Sequence, residues 1–160
     1  MAGHAVSTTG NERVIEARVV IRGAAAGLMI AMIAAVANVI LAAQDPRPVA
    51  LGALTLVGLL LGFALAGFVA GYEAPGEVAR HGTFAALVVF VPVEVIAILG
   101  RLDRGDPVSV FSIVLIAFLA AGAGAGAAPL GAARRVRADE RRFDQTRADV
   151  GGDEPKGFPS

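Results

Sequence analysis

Four long apolar runs, separated by short polar breaks, dominate the chain: Gly23–Ala43, Val49–Tyr72, Gly82–Gly100 and Val108–Gly131. None alternates as a half-buried strand would, and each approaches or exceeds the ~20 helical residues that cross a ~30 Å hydrocarbon core. The breaks carry helix punctuation. Gln44–Pro48 (QDPRP) has two prolines that stop one helix and start the next. Glu73–Arg80 (EAPGEVAR) is a short loop, and Arg101–Pro107 (RLDRGDP) ends on a proline suited to the first turn of a helix. The pattern predicts an all-α fold, a four-helix transmembrane bundle over residues 23–131, antiparallel and up-down, with helical extensions in the cytoplasm.

The flanks are polar. In the N-terminal segment, residues 1–22, Met1–Asn11 reads as disordered and Glu12–Arg22 as a helical lead-in with Arg18 and Arg22 one turn apart. In the C-terminal segment, residues 132–160, Ala132–Asp149 reads as a solvated helix leaving the membrane, with Arg135 and Asp139 one turn apart. Val150–Ser160 reads as a disordered Gly/Pro tail. A secretory signal fits the N-terminus poorly, because the first run exceeds the usual ~7–15 apolar residues and Leu41 interrupts a cleavage pattern.

Composition agrees with a bilayer protein. The chain is 56% hydrophobic before its 20 glycines are added, and its charged residues, 18%, lie almost wholly outside the runs. With no Cys there is no disulfide, thiolate metal site or cysteine nucleophile, and His4 and His81 lie too far apart in sequence to form a ligand pair. Neither metal nor cofactor is expected. Of the 14 Lys and Arg, Arg47, Arg101 and Arg104 fall on one side of the predicted membrane and the other eleven on the opposite side. The positive-inside rule then puts both termini in the cytoplasm. An Ala/Gly/Arg-rich composition points to a bacterial inner (plasma) membrane. The C-terminal arginines read as a topology anchor rather than a nucleic-acid contact, since Asp139, Glu140 and Asp144 interleave with them.

Glu94 is the only charged residue inside the four runs. A charge near the bilayer centre costs roughly 2.5–3.5 kcal/mol on insertion scales, so it normally faces protein or water. Its setting is either functional or structural, the latter as a carboxyl bonded to Asn38 or a backbone carbonyl. Counting along each predicted helix places Glu94, Asn38, Thr55 and Ser112 together in the outer half of the membrane, roughly 5–10 Å from its midplane. The inner half is rich in glycine instead: Gly23/Gly27, Gly67/Gly71 and Gly122/Gly126, with Gly58/Gly62 near the centre. Small residues one turn apart let helices approach closely, so these eight glycines are the expected packing positions. At ~100° per residue, Gly67/Gly71 points away from Gly58/Gly62, giving the second helix two packing faces, one of which is free for another subunit. Close packing inside and larger polar groups outside would leave a wedge that opens outward.

No catalytic motif is present: no Walker A, no dinucleotide fingerprint after a strand, no His-Glu-x-x-His. The segment GFALAGFVAGY (Gly62–Tyr72), followed by HGTFAAL (His81–Leu87), resembles a pattern in small, mostly uncharacterised bacterial four-span membrane proteins, in which a glycine-rich span precedes a His-Gly that opens the next. That resemblance implies topology. The chain is also similar to small multidrug-resistance transporters in having four spans and one membrane glutamate. There the glutamate lies in the first span among aromatic partners, whereas here it lies in the third and the chain has no Trp. The expected function is that of a non-enzymatic membrane protein that assembles, with itself or with a membrane partner, through its glycine faces. The alternative is a small transporter or channel component using Glu94 as a proton- or cation-linked site. Partners are the lipid bilayer and a second copy or another membrane protein, not nucleic acid.

Overall fold

The structure, a computed structural model, describes residues 16–46 and 48–151, with side chains through Arg147. The expectations for residues 1–15, Arg47 and residues 152–160 lie outside the described residues. Four helices make up the fold: α1 (Ala17–Ala42), α2 (Val49–Glu73), α3 (Val78–Asp103) and α4 (Val110–Gly151). All four are long and apolar enough to cross a membrane, which points to a multi-pass membrane protein. No strand occurs among the described residues.

The helix ends follow local chemistry. Pro48 is the N-cap of α2, and Ala74, extended ahead of Pro75, ends it. α3 continues three residues past the Gly100 boundary that hydropathy marks. It stops where Gly105 takes φ 73, a left-handed conformation that glycine adopts without strain. The N–H of Asp106 then donates to the Arg101 carbonyl (2.9 Å) and that of Gly105 to the Leu102 carbonyl (3.1 Å), a Schellman stop. The last turn of α3 therefore includes Arg101, and Arg104 is its C-cap. At the other extreme, α1 already includes Ala17–Arg22, and α4 runs without a break through Pro129 into the charged extension.

The core is built from small side chains. Ala31, Ala66, Ala70, Ala85, Ala86, Ala120 and Ala128 are fully buried, and among the described residues the only large side chains so enclosed are Phe63 and Val89. Lipid supplies no hydrophobic drive between helices, so their association depends on close contact. α1 lies on α2 through Gly23 and Gly27 against Ala66, Ala70 and Gly62, and through Ala31 and Ala34 against Gly62 and Gly58. α4 lies in the groove between α2 and α3, where Gly67, Gly71 and Gly82 meet Gly124 and Ala128. α1 and α4 occupy opposite corners and make no contact among the described residues. Large apolar side chains such as Met29, Ile33, Leu54, Phe111 and Phe118 project outward, as lipid-facing positions should.

At one end, here called the clasp end, polar contacts tie the helices together. Arg22 of α1 pairs with Glu73 of α2 at 3.3 Å, and Arg135 of α4 donates to the Ala74 carbonyl at 3.3 Å. His81 of α3 accepts the Glu16 N–H at Nε2 (3.2 Å), which leaves its Nδ1 to donate to the Glu77 carbonyl (3.2 Å). The Arg22–Glu73 pair is exposed, and exposed pairs are worth ~0.2–1 kcal/mol and weaken with salt. Glu73→Gln should accordingly lower the unfolding midpoint in detergent only slightly at low salt and not at all at high salt.

Candidate polar site at the pocket end

The opposite end holds the Asn38, Thr55 and Glu94 side chains. Glu94 is 5% exposed and directly follows Val93, the last residue of the buried stripe Ala85–Val89–Val93 on α3. Pro92 lies within α3 two residues before it and cannot donate to the Val88 carbonyl. Seven residues on, at nearly the same helix angle, stands Arg101. Helical side chains lean toward the N-terminus, so the arginine reaches back along its own helix toward the carboxylate. The gap between Arg101 Nη1 and Glu94 Oε1 is 3.9 Å. That is an ion pair, but it is about 1 Å too long for a charge-assisted hydrogen bond. Both atoms are buried, and neither has a hydrogen-bond partner among the described residues.

Asn38 and Thr55 meet across α1 and α2. Thr55 Oγ1 lies 2.8 Å from the Gly52 carbonyl and 3.2 Å from the Asn38 amide oxygen. A hydroxyl has one proton to give, and the shorter contact takes it. The Asn38 contact is then satisfied with the amide turned so that its NH₂ donates to Thr55 Oγ1. Asn38 itself is exposed and Thr55 is buried.

Asn38 borders a cavity of about 250 Å³, lined also by Pro48, Val49, Gly52, Arg101 and Arg104 together with the last turn of α1. One water needs only about 10–15 Å³ of such space, so this cavity has room for a small solute with some of its water. Arg104 is steadied by its Nε donating to Asp106 Oδ2 at 3.0 Å. Beyond the site toward the clasp end, the glycine and alanine contacts leave the helices closed on one another.

Three expectations change. Glu94 makes no bond to Asn38; its neighbour is Arg101, a residue that the hydropathy boundary assigned to a loop. The heptad spacing Glu94–Arg101 was the available signal. Ser112 does not join the cluster. It lies in the first turn of α4, where its N–H donates to Ser109 Oγ (3.4 Å), and no bond links it to Asn38, Thr55 or Glu94. Gly122 and Gly126 meet nothing within 4 Å; Gly124 between them is the α4 glycine that packs in the groove. Their stripe continues to Phe118, 78% exposed, whose ring would hold the helices apart. The remaining six expected glycines, Gly23, Gly27, Gly58, Gly62, Gly67 and Gly71, all lie at contacts within this chain.

Among the described residues no three His, Asp or Glu side chains gather as metal ligands. What the site offers chemically is an exposed amide, two arginines and a buried carboxylate. No protein-family model matches the chain, and neither a curated protein nor a solved structure is similar to it.

Proposed function

We propose that the chain is a non-enzymatic membrane protein that binds a small polar solute in the pocket bordered by Asn38 and Arg101, as part of a transporter or channel. In this reading the four helices cross a bacterial inner membrane antiparallel, with the clasp end and both termini in the cytoplasm. The eleven-to-three division of Lys and Arg supports that orientation, and the pocket then opens outward. The observation that carries the reading is the Glu94–Arg101 pair: the facing atoms, Oε1 and Nη1, are buried 3.9 Å apart with no hydrogen-bond partner among the described residues, beside an open cavity. A purely structural pair would gain by closing that gap. Assembly through glycine faces has less support, because both faces of α2 meet helices of the same chain.

The chain has no Cys, so single cysteines test the pocket cleanly. Asn38→Cys and Arg104→Cys should react with a membrane-impermeant thiol reagent added to intact cells, whereas Val89→Cys, 0% exposed, should not. Labelling of positions 38 and 104 only after the membrane is permeabilised would reverse the orientation. Protection even then would remove the pocket.

A further inference from the structure

The pocket reading leaves the solute's chemistry open, and the donors around the cavity narrow it. We propose that the cavity takes one small oxyanion, a carboxylate or a phosphate group, held by Arg101, with Glu94 as the internal rival for the same guanidinium. This rests on the pocket being a binding site.

The described charged side chains of the lining are both cations, Arg101 and Arg104, and among the described residues no carboxylate lines the cavity. The nearby Asp106 is engaged with Arg104, and Glu94 pairs with Arg101 at 3.9 Å. The cavity also abuts the start of α2, where Pro48 and Val49 form part of the wall. The first intrahelical bond there is Gly52 N–H to the Pro48 carbonyl (3.0 Å), and no side chain caps the N-terminus. The N–H groups of Val49, Ala50 and Leu51 therefore precede the hydrogen-bond ladder, at the positive end of the helix dipole. A helix start alone would mean little. Here it converges with two arginines, one of which, Arg101, has a buried nitrogen, Nη1, that is paired with Glu94 only at 3.9 Å and has no hydrogen-bond partner among the described residues.

Size and geometry agree. A planar guanidinium grips carboxylate or phosphate through two parallel N–H···O bonds, a fit that a lysine lacks. About 250 Å³ suits one such group with a few waters and is small for a drug-sized ligand. The 3.9 Å separation from Glu94 means that Arg101 can turn toward an anion without first breaking a hydrogen bond. Bound anion and Glu94 then compete for one cation, so the carboxylate sets how tightly the anion binds. The same chemistry occurs in a free solute and in the phosphate of a lipid headgroup.

The full chain, purified in a neutral, phosphate-free detergent, should show a saturable rise in its unfolding midpoint with inorganic phosphate or acetate, beyond that with chloride at equal ionic strength. Glu94→Gln, which removes the rival, should bind more tightly. Arg101→Lys, which keeps the charge and loses the fork, should bind about tenfold or more weakly. The double variant Glu94→Gln/Arg101→Gln, which strands no charge, should fold and give no response. If free anions do nothing but nanodiscs containing phosphatidylglycerol stabilise the wild type and not the double variant, the oxyanion is a lipid phosphate. A response equal in wild type and double variant, or no response to any of these probes, overturns the oxyanion. In that event, external labelling of Asn38→Cys would leave the pocket standing for another solute, and its failure would remove both.

Discussion

Gly124→Leu is expected to prevent the bundle from forming, while Gly122→Leu, two residues away on the same helix, should leave its stability nearly unchanged. The difference comes from which atoms stand in the way. A Cβ at Gly124 would strike the Gly82 carbonyl oxygen and come within 2.6 Å of the Ala86 methyl group. From the other side, Gly67 presses on the backbone of Gly124 itself. Backbone on both flanks cannot step aside as a side chain can, so α4 would have to leave its groove. Ordinary overpacking costs about 1–3 kcal/mol, and here the obstruction removes a whole helix's contacts. A Cβ at Gly122 meets nothing within 4 Å, and the open apolar groove it lines with Leu61 and Ala64 has room for a leucine. Yield of monodisperse protein and the unfolding midpoint in detergent measure the contrast. Equal tolerance at 122 and 124 would show that α4 is not seated in this register.

That register was the least legible part of the fold in the sequence. The four spans are plain in the apolar runs, because run length alone separates membrane helices from soluble ones. Gly67/Gly71 and Gly58/Gly62 could be assigned opposite faces from angular arithmetic, and they meet α4 and α1 respectively. On α4, however, the run Gly122–Ala123–Gly124–Ala125–Gly126 offers two small-residue faces, and spacing does not choose between them. The choice is made by what continues each face: Ile116 and Ala120 in line with Gly124, against Phe118 in line with Gly122. α4 must also touch two helices at once, so its thinnest strip goes inward. In the polar site, Asn38 and Thr55 were placed together by depth. Arg101 was missed because a hydropathy boundary ends a helix at its first charge, whereas the backbone ends it at the left-handed Gly105. Ser112 was placed in the outer part of the fourth run and lies in the first turn of α4; depth alone did not say which side chains it would meet.

Arg101→Met is expected to destabilise the protein by about 3–5 kcal/mol, and adding Glu94→Gln to it should return most of that loss. The single substitution removes the cation and leaves a carboxylate that is 5% exposed, with no hydrogen bond to Oε1 and no other cation recorded within 4 Å among the described residues. The double substitution leaves neutral groups of similar shape, so the desolvation penalty disappears with the charge. The cycle formed by wild type, both single variants and the double variant isolates the coupling, because each change touches the same contact and little else. Glu94→Gln alone should be mild, since Arg101 is 23% exposed on its side chain and its head group can turn to the cavity and water. The asymmetry between the two single variants is the informative quantity. A structural pair closed on itself would suffer similarly from either loss, whereas a guanidinium shared between Glu94 and the cavity tolerates the loss of one partner. Unfolding midpoints in a neutral detergent read all four proteins on one scale. Equal stability of Arg101→Met and the double variant would mean that Glu94 carries no charge for Arg101 to balance, and the competition for the guanidinium would fall with it.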